Sequence, residues 1–492
     1  MERLKSIFKI ANLKYVAVFL LPIAIATIMY CSVDHDSYFL IKEGEYLAQN
    51  GIHHTDILTM HEGLNIVVQQ YAFCIASYYI FTAFGQIGLF VGMLALVFAI
   101  TLLVYKICML LSDKNVNLSL LLATLTASLM SISGFFTTRP QMVSYVILLG
   151  VIYVLELFVK TRKTKYLWWL PVLSLLLSNL HASLWLLPII VMGVYIVDSF
   201  KNPKLHLEGY PTKPLAIATA ASVAAGFINP YGVSAVAYIF TSFNAAPIKE
   251  IVLEMKPFSC EGAMELVIYG FVVLTSLAYI FGRRKNIRMR HLILFFGFLL
   301  LGINAVRGLS QLILVMFFPM ALLFKDADIA KYVKKRWRTP ITVWSGYLMI
   351  CVTLVVGFVN FATMDDNHCL IRAVNVIDDA VAAAGQDKSE LKIYTIYDDG
   401  GYLEYRGYKP FIDQRAEVFL KRNNGKSDIL KEWWDMRMSA MKKEDFLEKY
   451  DFDYLLVRGA RDPLHFIEDE KYQVLYSNYN EHITIYKHIK DE

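Results

Sequence analysis

The chain lacks the signatures that mark the common soluble enzyme classes. There is no Walker A run, no G-x-G-x-x-G after a strand-like segment and no G-x-S-x-G, so phosphate-loop NTPases and serine hydrolases leave no trace here. Cysteine is scarce: Cys31, Cys74, Cys108, Cys260, Cys351 and Cys369 are scattered, mostly among apolar residues, with neither a metal spacing nor a disulfide framework. No internal repeat and no low-complexity tract occurs. Net charge is only +5, and no concentrated basic stripe remains once loop charges are assigned to topology, which argues against nucleic acid. What the chain has in excess is apolar length: 56% of its 492 residues are hydrophobic and the mean hydropathy is +0.45. Soluble domains rarely look like this, whereas polytopic membrane proteins do.

Apolar stretches long enough to cross, or nearly cross, a core roughly 30 Å thick fall at 15–32, 86–112, 117–135, 141–159, 166–180, 183–199, 214–229, 264–282, 291–306, 309–324 and 340–363. The pattern predicts about eleven transmembrane helices. Basic residues cluster near Arg3, Lys114, Lys160, Lys201, Arg283 and Lys331, all on one side if the spans alternate. By the positive-inside rule that side is cytoplasmic. Residues 1–32 then read as a retained signal anchor with a cytoplasmic N-terminus. Residues 33–85 form a large extracytoplasmic first loop with an amphipathic stretch at 66–84. Residues 86–363 are the multi-span region. Residues 364–492 turn polar and form an extracytoplasmic α/β domain. In that domain strands are expected at 392–397, 410–413, 454–457, 473–476 and 482–486, and helices near 370–384, 426–440 and 442–449.

Chemistry-bearing residues collect in the first loop: Asp34, His35, Asp36, His53, His54, Asp56 and His61. Such side chains are costly in hydrocarbon and belong in water at the membrane surface. The Asp34-x-Asp36 pair can share a divalent cation (Mg or Mn) or split acid and base roles, with His54 as a further ligand. The plainer reading is a solvated loop cap. At expected external span ends stand Arg139 and Gln141, His181, Tyr231 in Asn-Pro-Tyr-Gly, and Arg307. A guanidinium pairs bidentately with phosphate oxygens, which gives an arginine a reason to sit there; the plainer reading is a side chain snorkelling to lipid headgroups. In the tail, Asp398-Asp399-Gly400-Gly401-Tyr402 and Asp413-Gln414-Arg415 each follow an expected strand. Side chains at the carboxyl ends of neighbouring strands converge, although turn chemistry and a buried Asp413–Arg415 pair explain the same residues.

The order of these features resembles the GT-C class of polytopic glycosyltransferases, and more narrowly a group of bacterial GT-C-like membrane proteins. The resemblance rests on Asp36 followed by Gly44 and Gly51, on His54-Thr55-Asp56, Arg139-Pro140-Gln141, Asn179-Leu180-His181, Asn229-Pro230-Tyr231-Gly232, Gly400-Gly401-Tyr402 and Asp413-x-Arg415. It covers nearly the whole chain. The sequence departs from the group at Phe39-Leu40, where an aromatic-His pair is usual, and at Gln70-Tyr71, where an acidic-Trp pair is usual. The resemblance implies a GT-C-like helical bundle in the plasma membrane that transfers a sugar from a polyprenyl-phosphate-linked donor to an extracytoplasmic glycan, lipid or protein. Asp36, Asp34 and Asp56 are then the candidate catalytic carboxylates. Arg139, Gln141, His181, Arg307, His54 and Tyr231 are candidate substrate contacts, and Asp398, Tyr402, Asp413 and Arg415 are tail-domain candidates. Asp34, Asp36 and His54 are the candidate metal ligands. The alternatives are a non-enzymatic lipid or glycan transporter and a GT-C fold kept as a binding or assembly protein. Neither a repeat nor a mid-span carboxylate supports the transporter.

Overall fold

The computed structural model describes residues 35–243, 246–259, 263–281, 287–325, 366–459, 462–465, 467 and 470–489. The expected spans 15–32 and 340–363 lie outside the described residues, as does Asp34. The chain is mostly helical, with a small sheet near its C-terminus, and divides into two compact units.

The first unit holds Phe90–Asn229 and the chain from Glu254 onward to residue 325. Each expected span between 86 and 324 falls largely on helix, because the apolar runs are long. Among the described residues three helices are long and apolar enough to cross a membrane: Tyr71–Leu111, Gln141–Thr161 and Val306–Leu323. The 21 residues of Gln141–Thr161 rise about 1.5 Å each, about 32 Å in all, which matches the hydrocarbon thickness. The 41-residue helix Tyr71–Leu111 is interrupted at Gly85 (φ 61°, ψ −153°), and the part beyond the break is the expected 86–112 span. Leu186–Asp198, Ala263–Phe281 and Met289–Asn304 are further apolar helices. Ile152, Leu155 and Phe158 pack with Val97, Ile100, Leu312 and Phe317 in one apolar core. At one end of this unit Arg290 is buried among three acids. It donates to Glu156 (2.8 and 3.1 Å), Asp198 (2.9 Å) and Glu208 (2.7 Å), and Tyr195 also donates to Glu156 (2.6 Å). This ionic knot ties the ends of three helices, Gln141–Thr161, Leu186–Asp198 and Met289–Asn304.

The second unit joins the chain before Leu89, Pro230–Leu253 and the tail. Its sheet has the order β2-β1-β3-β5-β4, with β1 Lys392–Tyr394, β2 Lys409–Pro410, β3 Tyr454–Arg458, β4 Tyr472–Asn478 and β5 Ile483–His488. β1 runs parallel to β2 and β3, while β5 is antiparallel to β3 and β4. The helices Asp366–Ala383, Ile429–Arg437 and Lys443–Tyr450 complete the α/β pattern. The first loop is not a separate body. Its helix His35–Asn50 puts Tyr38 and Ile41 into the same core as Ala373, Ile393, Leu403 and Leu456. Each leucine or isoleucine among them contributes about 1.5–3 kcal/mol when buried. Residues after that helix are tied to the tail through the backbone, with Met60 N–H on Pro410 O (3.1 Å) and Asn65 N–H on Asn424 O (3.1 Å). Leu40, one of the departures from the resembling group, is 1% exposed.

Candidate functional site

Two clusters gather the candidate residues, one in each unit. In the second unit the parallel pairing of β1 and β2 brings the segments that follow them side by side. Gly400 is required there: a Cβ on it would collide with the Ile412 carbonyl oxygen. The helix Gly400–Tyr405 starts at that point and packs on the helix His35–Asn50, with Tyr402 edge-on to Tyr38 (ring centroids 4.9 Å). Gln414 accepts from Gly401 N–H (3.2 Å) and donates to the Asp398 carbonyl, and Tyr397 donates to the Gln414 carbonyl (2.6 Å). Asp36 lies in the first turn of its helix, where the helix dipole favours a carboxylate. Burial, then the charges of Glu417, Asp36, Asp413 and Asp398, push the Tyr397 phenol well above its ordinary pKa.

The same unit holds a buried ionic hub. Arg415 donates to Asp413 through Nε (3.0 Å) and Nη2 (2.5 Å), to Asp56 through Nη1 (2.8 Å) and to Glu404 (3.4 Å). Glu43 stands 3.7 Å away. Asp56 also accepts from Thr59 N–H (3.1 Å) and Oγ1 (2.5 Å). Burial disfavours its charge, but Arg415 and Thr59 outweigh burial and hold the Asp56 pKa below the usual range. Glu404 goes the other way: burial and the neighbouring Asp413 raise its pKa above the ordinary value. His53 bonds Glu43 (2.5 Å) and the Thr55 carbonyl (2.8 Å); burial lowers its pKa, yet Glu43 more than offsets this and the pKa is raised. His54 is exposed and edge-on to Tyr231, whose hydroxyl donates to the His53 carbonyl (3.0 Å). Among the described residues no group of three or more His, Cys, Asp and Glu side chains is arranged to hold a metal, so Asp36 and His54 belong to none.

In the first unit Arg139 and Arg307 converge. Arg139 precedes the helix Gln141–Thr161, whose first residue, Gln141, is buried. Arg307 sits in the one-turn 3-10 segment Val306–Gly308, and a Cβ on Gly308 would collide with the Leu301 carbonyl oxygen, so the turn can close this tightly only on glycine. Both guanidinium groups address one carboxylate: Arg139 Nη1 lies 3.1 Å from Glu254 Oε1 and Arg307 Nε lies 3.9 Å from Glu254 Oε2. Next to them Ser310 donates to the Arg307 carbonyl (2.8 Å). His181, which ends the helix Trp169–Leu180, shares a 2.7 Å hydrogen bond with Ser144. Burial, with a contribution from Arg307, pushes the His181 pKa down to about 3. A cavity of about 10 Å³, room for roughly one water molecule, lies among Ser144, Tyr145, Leu177 and Gln311.

The structure thus gathers Arg139, His181 and Arg307 in one unit, and Asp36, Asp56, Asp398, Tyr402, Asp413 and Arg415 in the other. Sequence reasoning missed Glu254, Ser144, Tyr397, Glu43 and Glu404. Of these only Glu43 carried a usable signal, since it lies seven residues after Asp36 and so on the same helix face.

The described residues form a bundle of apolar helices, three of them long and apolar enough to cross a membrane, together with a mixed sheet domain. No family model and no curated protein sequence matches the chain. Solved structures do. The oligosaccharyltransferase of Archaeoglobus fulgidus, tethered through a disulfide bond to an acceptor peptide containing the NVT sequon, superposes with a TM-score of 0.58. The alignment has 11% identity and covers 92% of this chain and 70% of that one. The apo form of that enzyme gives a TM-score of 0.57 at 11% identity, over 90% and 69% of the two chains. At such identity the likeness is one of fold.

Proposed function

We propose that this protein transfers a sugar from a polyprenyl-phosphate-linked donor to an acceptor on the outer face of the bacterial plasma membrane. The observation that carries the reading is the convergence of Arg139 and Arg307 on a single acid group, within a fold shared with an oligosaccharyltransferase. Two guanidinium groups set to grip two oxygens of one acid suit the phosphate of a lipid-linked donor. In the proposed reaction an acceptor hydroxyl attacks the anomeric carbon from the face opposite the phosphate. The bond from that carbon to the phosphate oxygen breaks, and its electron pair leaves with the phosphate. Arg139 and Arg307 offset the negative charge that grows there. Asp36 takes the hydroxyl proton as general base, and the anomeric centre inverts. Asp56, buried and held by Arg415, positions rather than reacts, and Asp398 and Tyr402 border the acceptor. His181, Gln141, His54 and Tyr231 shape the path of the substrates.

The test is incubation of the purified protein with lipid-linked sugar donors. Release of polyprenyl phosphate supports transfer. Flux without release supports a transporter, and binding without either supports a GT-C fold kept for assembly.

A further inference from the structure

Glu254 is the unexplained member of the arginine cluster. Nothing in its sequence context marks it, yet it occupies the point at which Arg139 and Arg307 meet. Its placement is built. It lies in the 3-10 turn Leu253–Met255. Directly after it, the Lys256 carbonyl accepts from Val306 N–H (3.0 Å) and Phe258 N–H donates to the Ile303 carbonyl (3.1 Å). These two backbone bonds lay the Glu254 segment along the turn that carries Arg307. The carboxylate offers one oxygen to each arginine, as one acid group of a phosphate would. The three side chains are 21% (Arg139), 41% (Arg307) and 45% (Glu254) exposed, so water and ligands reach the pair. Ion pairs this exposed are weak, and a phosphomonoester, with more charge and more acceptor oxygens than a carboxylate, competes for both arginines.

We infer that Glu254 is an internal stand-in for a phosphate: it fills the Arg139–Arg307 anion site at rest and is displaced when a lipid-borne phosphate occupies it, as the phosphodiester of the donor or the phosphomonoester that transfer releases. This rests on the reading of the two arginines as a phosphate site and adds the regulation of that site. The carboxylate keeps the arginines oriented while the site is empty and sets a threshold that weakly binding anions do not pass. The ligand chemistry is the phosphate group itself, whether on a lipid or free in solution.

The test is equilibrium binding of a polyprenyl phosphate in detergent micelles, and separately of inorganic phosphate, to the full-length protein and its variants. Glu254→Gln keeps the shape and removes the competing charge; it is expected to tighten polyprenyl phosphate binding about two- to ten-fold, the range expected for release of exposed ion pairs. Tightening of both ligands identifies the phosphate group as what the site reads, and tightening of the lipid alone identifies the lipid-borne headgroup. Glu254→Asp, which keeps the charge on a shorter arm, is expected to fall between Gln and the parent, and melting curves of both variants check folding. Loss of binding in an Arg139→Gln/Arg307→Gln protein with unchanged affinity in Glu254→Gln overturns the stand-in role and leaves the phosphate site standing. Unchanged binding in the double arginine variant overturns the phosphate site and, with it, the role of Glu254.

Discussion

Arg415 donates to Asp56 at 2.8 Å although 359 residues of chain separate them. One residue comes from the stretch after the first helix and the other from the tail, and both are buried. The pair therefore ties the first described segment of the second unit to its tail. Removing the guanidinium leaves Asp56 and Asp413 buried without a counter-charge. Arg415→Met is expected to destabilise this unit by about 3–5 kcal/mol, read by chemical denaturation. A loss under about 1 kcal/mol would mean that the hub does not hold the unit together.

The same hub makes stability depend on pH from both sides. His53 and Glu404 have raised pKa values when folded. Their contributions are full below the ordinary values of 6.5 and 4.5 and are lost as pH rises through the folded values. Asp56 is lowered, so its contribution is present above the ordinary 3.8 and is lost as pH falls through its folded value. Melting temperatures measured from acid to alkaline pH should show a plateau between these losses. Glu404→Gln and His53→Gln should each flatten the alkaline side, and neither should move the acid side.

His181 is expected to stay neutral in the folded protein at every physiological pH, because its pKa lies at about 3. The unfolded chain takes up a proton below 6.5 that the folded one refuses, so stability from this site is full above 6.5 and falls as pH drops toward 3. The size is on the order of a few kcal/mol. Transfer activity between pH 6 and pH 8 should accordingly carry no His181 titration, which a pH profile of His181→Gln against the parent protein would check; a pKa that disappears in the variant would contradict it.

Arg290 carries a structural role in the first unit. With Glu156, Asp198 and Glu208 around it, Arg290→Ala is expected to cost about 3–5 kcal/mol by stranding three acids, two of them buried. The double change Arg290→Met/Glu156→Leu should recover part of that loss. Detergent-solubilised thermal melts would show it.

Much of the fold was legible in the sequence. The five tail strands and three tail helices appear close to where alternation and helical periodicity put them, since both patterns are local. The apolar helices between 86 and 324 were legible for the same reason. Their lengths were less so: the 309–324 stretch breaks into Leu309–Val315 and Phe318–Leu323 near Pro319. The site was harder to see, because its pairings are long-range. Asp56 looked like a water-facing loop acid, but the residue that neutralises it, Arg415, lies in another part of the chain. Glu254 had no local mark at all, since only folding brings its turn beside Arg307. Arg139 and Arg307 could be singled out because an arginine is unusual at that end of an apolar span.

The most direct measurement is release of polyprenyl phosphate from a lipid-linked sugar donor by the full-length protein and by Asp36→Asn. The parent protein should release it in step with acceptor glycosylation, and the variant should fold and bind donor but lose turnover by about 100-fold or more. Equal turnover in the variant would remove Asp36 as the base, and no release by the parent with any lipid-linked donor would contradict transfer itself.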